Sequence, residues 1–173
     1  SYETYGAKFY HQDSAGDVHY FFGAGHEDSD YTDYGTEDSW LNMIKDPQYE
    51  KTKLYLKSTW FIDEAEGHKF SAFANRASHT GDTGRPNRDF DHEYLTVNTD
   101  YQLPLGEKLM TAFKLGYRDY DRTWEDDNFP DNLALKSENG VEQEIVPGDV
   151  AVSLHHGQNS LLIMGGDFQF AEY

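Results

Sequence analysis

Between Glu93 and Glu125 apolar and polar residues alternate with a period of two. Leu95, Val97, Thr99, Tyr101, Leu103 and Leu105 fall on one face of an extended chain, and Thr96, Asn98, Asp100 and Gln102 on the other. After a tight turn at Pro104-Leu105-Gly106-Glu107 the pattern resumes, with Leu109, Thr111, Phe113, Leu115 and Tyr117 set against Met110, Ala112, Lys114, Gly116 and Arg118. A strand in a soluble domain needs about 5 to 6 residues. A strand that crosses a bilayer needs about 9 to 11. Both halves of this hairpin reach the longer class.

The same reading extends along the chain. It predicts strands over Glu3–His11, Val18–Glu27, Lys51–Ile62, Lys69–Thr80, Val141–His156, interrupted at Pro147-Gly148, and Ser160–Tyr173. In the third strand Leu54, Leu56, Ser58, Trp60 and Ile62 oppose Lys53, Tyr55, Lys57 and Thr59. Short turns are expected near 12–17, 63–67, 104–107 and 157–159, and long loops near 28–50, 81–91 and 126–140. Trp40, Leu41, Met43 and Ile44 in the first long loop form a short helix or an aromatic anchor. All the long connections fall at one end, which is the wiring of a transmembrane barrel and has no rationale in a soluble sandwich. The expected fold is therefore all-β, an antiparallel transmembrane β-barrel, with about eight strands in one segment, 1–173.

Composition narrows the class. With 173 residues, the chain has the length of one domain. A mean hydropathy of -0.84 is too polar for helical spans, yet it suits barrel strands, whose alternate residues face a polar interior. No apolar run approaches the roughly 18 residues of a spanning helix. Fourteen Lys and Arg against 32 Asp and Glu give a net charge of -18, which excludes a nucleic-acid partner. Cysteine is absent, so there is no disulfide framework and no thiol chemistry. Tyr and Phe gather near strand ends (Tyr2, Tyr5, Tyr10; Tyr117, Tyr120, Trp124; Phe168, Phe170, Tyr173), as interfacial girdles require.

Candidate chemistry is sparse. His155-His156 are adjacent strand residues that point to opposite faces, so they do not share a metal. Asp28, Asp30 and Asp33 before Gly35 lack the ligand order of a calcium loop and read as a solvated acidic loop, as do Asp126, Asp127 and Asp131. No Gly-x-Ser-x-Gly elbow occurs. No catalytic residue, metal site or cofactor is expected, and the chain is not expected to be an enzyme. Arg76, Arg85, Arg88, Arg118 and Arg122 fall near the long-loop ends of their strands, where guanidinium groups would bind an anionic solute by charge-assisted hydrogen bonds or balance Asp89, Asp91, Asp119 and Asp121.

The opening Ser1-Tyr2-Glu3-Thr4-Tyr5-Gly6-Ala7, followed by Val18-His19-Tyr20-Phe21-Phe22-Gly23-Ala24-Gly25-His26-Glu27-Asp28-Ser29-Asp30-Tyr31, resembles the first barrel strands after the plug in TonB-dependent outer-membrane receptors. Lys51 to Trp60 and Ser160 to Phe168 are similar to later strands of that family. The resemblance covers most of the chain through loose patterns. It implies a barrel of about 22 strands in the bacterial outer membrane, of which these are roughly the first third. It further implies contact with outer-membrane lipid and lipopolysaccharide, and uptake of a scarce solute such as a metal chelate (siderophore) or cobalamin. Coupling would run to TonB through a plug domain that these residues do not contain.

Strand direction agrees with a segment. If short turns are periplasmic, an eight-strand unit starts and finishes on the extracellular side, whereas complete single-chain barrels start and finish in the periplasm. The alternative is a self-contained eight-strand outer-membrane barrel with a structural, adhesive or lipid-modifying role. In that reading Gly165, Phe168 and Phe170 would be a terminal assembly signal, and Ser153 and His155, on one face, a catalytic pair near the outer rim. A third reading is a soluble antiparallel β-protein that binds a sugar or metal.

Overall fold

A computed structural model of the chain describes residues 3–30, 48–82, 89–126, 137–156 and 160–173. These residues form one sheet of eight antiparallel strands in simple sequence order: β1 (Glu3–Ala15), β2 (Val18–Asp30), β3 (Gln48–Asp63), β4 (His68–Asp82), β5 (Asp89–Pro104), β6 (Leu109–Asp126), β7 (Ser137–His155) and β8 (Leu161–Glu172). There is no helix among the described residues. The expected helix at Trp40–Ile44, the expected turn at 157–159 and the middle of each expected long loop lie outside them, while the margins assigned to those loops (28–30, 48–50, 81–82, 89–91, 126 and 137–140) are strand.

The strands run further than the alternation alone suggested. β1 continues through Gln12–Ala15, and the first turn shrinks to Gly16-Asp17. The turns fold tightly because Gly16, Gly67 and Gly106 take positive φ angles of 60°, 78° and 76°, where a Cβ would clash with the backbone. Pro147-Gly148 does not interrupt β7. Proline has no N–H to give, so the ladder to β6 lapses only beside Gly116 and Tyr117, while Pro147 still pairs with Gln169 of β8.

Cross-strand partners share a face, so the register sorts every side chain. One face carries Leu95, Val97, Thr99, Tyr101 and Leu103 of β5 against Asp119, Tyr117, Leu115, Phe113 and Thr111 of β6. The apolar stretches of this face are Leu54–Ile62, Leu95–Leu103, Leu109–Tyr117, Val146–Leu154 and Leu162–Phe170, nine residues in each. Nine residues span about 30 Å along a strand, or roughly 23 Å in height at a 40° tilt. That matches the apolar band of about 25 Å that a barrel presents to lipid. Between β5 and β6 the band slips two residues toward the short turns, whereas β6, β7 and β8 carry it in direct register.

Nothing in the described structure covers that face. Leu54, Leu56, Trp60, Phe113, Leu115, Met164, Phe168 and Phe170 are all more than two-fifths exposed, and Ile145, on the other face, is the only buried hydrophobic side chain among the described residues. The accessible surface is 12240 Å². A compact 19.9 kDa monomer exposes about 8,700 Å². A compact domain buries a sheet face beneath a second layer, and among the described residues no such layer lies on the apolar face. Strands touch only their sequence neighbours, so β1 and β8 do not meet and the sheet is open along both edges.

Candidate functional site

The opposite face is polar, and its charges are of one dominant sign. Register places Lys8, Lys51, Lys53, Lys57, Lys69, Lys114, Arg118 and Arg122 on it. Its acids within the sheet are Glu27, Asp100, Asp149 and Asp167. The other acids at the loop end of the sheet, among them Asp28, Glu50, Asp91, Glu93, Asp119, Asp121, Glu142 and Glu144, stand on the apolar face, beyond its greasy band. A chain of net charge -18 therefore presents a cationic wall on one side.

The predicted arginines do not form one site. Arg76 of β4 lies on the acid-bearing face, where its Nη2 donates to Glu93 Oε2 at 2.9 Å, with both side chains about half exposed. Arg118 and Arg122 of β6 lie on the polar face and are separated from Arg76 by the thickness of the sheet. Arg85 and Arg88 lie outside the described residues. Ser153 and His155 share the polar face, yet they sit at the short-turn end of β7, far from the rim where a lipid-modifying pair would be needed. No hydrogen bond or ion pair joins them among the described residues. No group of three or more potential metal ligands occurs among the described residues.

Two zones on the polar face were not singled out by sequence. The first is a groove of about 580 Å³ toward the short turns, lined by Lys57, Lys69 and Lys114 with Asp100, Asp149 and Asp167, and walled by Phe73, Pro147 and Gln169. Lys114 Nζ lies 3.8 Å from Asp149 Oδ1, a pair too exposed to contribute more than about 1 kcal/mol. The second zone lies at the loop end, beyond the apolar band. There Tyr49, His79, Phe90, His92, Tyr94, Tyr120 and Trp124 form a continuous aromatic cluster across β3 to β6. His79 meets Phe90 edge-on with centroids 4.9 Å apart and Tyr49 at 5.5 Å; His92 contacts Phe90 at 5.3 Å and Trp124 at 6.3 Å. Tyr94 and Tyr120 pair at 5.5 Å. Tyr49 donates its hydroxyl to Glu27 Oε1 at 2.7 Å, and that bond above all holds the Glu27 carboxyl below the usual carboxylate range.

Burial in this cluster lowers the pKa of both histidines. Lys51 and the neighbouring His92 lower His79 further, and Arg122 lowers His92, opposed by Asp91. The folded protein thus binds fewer protons here than the unfolded chain, whose histidines titrate near 6.5. Stability is unaffected well above that pH and falls as pH drops through 6.5 toward the lowered folded values. We expect His79→Gln with His92→Gln to remove part of the acid-side loss seen in denaturant titrations from pH 7.5 to 5. A pH profile unchanged by the double substitution would contradict this.

Sequence reasoning missed the second zone because its members come from four strands, and only the shared rows of the sheet bring them together. No family model, no curated protein and no solved structure matches this chain.

Proposed function

We propose that this sheet is part of the wall of a transmembrane β-barrel in a bacterial outer membrane, larger than eight strands, with its polar face toward the lumen. The observation that carries the reading is the uncovered apolar band, nine residues tall on five strands, backed by a polar, cationic opposite face. Lipid is a cover that suits such a band, because the strand ladders satisfy nearly all interior backbone groups and leave mainly apolar side chains facing outward. The two open edges need further strands, since exposed edges of this length promote uncontrolled pairing.

Within that reading, the resemblance of the opening strands to TonB-dependent receptors supports a role in solute uptake. The solute is an anion such as a metal chelate, held by cations of the polar face, and energised release depends on a plug and TonB. The chain performs no covalent chemistry in this role. Single cysteines test the arrangement in intact cells. Thr80→Cys, at the loop end, should react with a membrane-impermeant maleimide added outside, and Lys108→Cys, in the β5–β6 turn, should react only after the outer membrane is opened. Equal labelling of both positions, or a protein that stays folded and monomeric without detergent, would defeat the proposal.

A further inference from the structure

At the loop end of the polar face one transverse row of the sheet carries Lys51, His79, His92 and Arg122 on four successive strands, paired directly in the register. Strand spacing of about 4.8 Å places these four basic groups along a line of roughly 14 Å. The His79 and His92 rings are 6.2 Å apart. Phe90 and Trp124 occupy the row above and Tyr94 and Tyr120 the row two residues below, so rings flank the line on both sides. Arg122 has its Nε shielded from solvent without a hydrogen-bond partner, no ion pair of Arg122 occurs among the described residues, and Lys51 has Glu27 as its one carboxylate neighbour, directly across the strand pair.

We propose that the Lys51, His79, His92 and Arg122 row is a binding site for an elongated, multiply charged oxyanion of the oligophosphate or polycarboxylate type. A linear array of N–H donors with unfilled acceptor demand matches a ligand that carries several anionic oxygens along its length. The flanking rings shield the row in part from water, which strengthens a charge-assisted bond made there. The charged and titratable groups facing the row are Glu27 beside Lys51, Lys53 and Lys8 toward β1, and the hydroxyls of Tyr49, Tyr94 and Tyr120. Asp91, next to His92 in sequence, points to the opposite face. Only Glu27 opposes an anion, and Tyr49 already engages it. The site strengthens with acid, because protonating both histidines turns two cations into four.

The inference rests on the polar face being open to solution, and it holds whether or not that face lines a transport lumen. The test is calorimetric titration of tripolyphosphate into the full-length protein in detergent, at pH 7.5 and 5.5. Binding should tighten at least about tenfold at the lower pH, a gain of about 1.4 kcal/mol. Arg122→Gln should weaken binding about tenfold or more at both values, as loss of a charge-assisted contact does. His79→Gln with His92→Gln should abolish the pH dependence while keeping the neutral-pH affinity. Lys108→Gln, in the turn at the far end, should bind as wild type. Absent binding, pH-independent binding, or equal losses in Arg122→Gln and Lys108→Gln would overturn the site. The maleimide experiment reads the barrel separately, so failure of one reading leaves the other measurable.

Discussion

Leu115→Arg is expected to destabilise the protein by about 2 kcal/mol or more when it is folded in a phospholipid bilayer, the cost of an arginine close to the midplane of a barrel's lipid face. Leu115 lies inside the apolar stretch of β6, two residues to the loop side of its midpoint at Phe113, and is 53% exposed. Its protein contacts are therefore few, and the cost measures what covers the face rather than lost packing. In water the same substitution at a half-exposed side chain would fall within about 0.5 kcal/mol of neutral. Thr123→Arg supplies the internal control, since it lies on the same face of the same strand, eight residues nearer the loop end and beyond the apolar band. Near the interface the penalty falls to about 0–1 kcal/mol. Urea-dependent folding into lipid vesicles, followed by gel mobility, measures both variants. Equal small losses would show that lipid does not cover this face and would remove the main support for a membrane barrel.

Gly148→Val should cost about 1–3 kcal/mol through overpacking. The Phe168 ring of β8 lies over Gly148 of β7, in the space that a Cβ would occupy. The two residues are directly opposed in the ladder, so an aromatic ring covers a glycine in the neighbouring strand, a device that restores packing where a strand lacks a side chain. A valine here must push the ring aside or lever β8 away from β7. Phe168 is 49% exposed, so Phe168→Ala alone removes only part of a ring's burial. In the Gly148→Val, Phe168→Ala double variant the obstruction is gone, and the combined loss should fall below the sum of the single losses by at least about 0.5 kcal/mol. Strict additivity would mean that the ring does not occupy that space in solution.

The segregation of charge has a physical basis in the same geometry. With lipid over the apolar band, as proposed, a carboxylate or ammonium group within it would cost several kcal/mol. Nearly all the acids of the apolar face therefore gather beyond the band, and the cations of the strands turn to the polar side. Arg76 is the exception, and it stands at the edge of the band with Glu93 as its partner.

Much of this was legible in the residues themselves. Side-chain direction in a strand alternates by covalent geometry, so the common face of Leu54, Leu56, Ser58, Trp60 and Ile62, or of Leu109 to Tyr117, followed from local spacing alone. Gly67 and Gly106 likewise marked the turns from β3 to β4 and from β5 to β6. The faces that different strands share were not legible. Parity is reset at every connection and at each bulge, such as the register shift between Phe61 and Asp63. Arg76, Arg118 and Arg122 therefore looked equivalent in sequence and were divided between opposite faces by the sheet. Lys51, His79, His92 and Arg122 lie between 13 and 30 residues apart from one to the next in the chain. Only the hydrogen-bonded register aligns them into one row, because transverse neighbours in a sheet are chosen by pairing between strands and leave no period along any single strand.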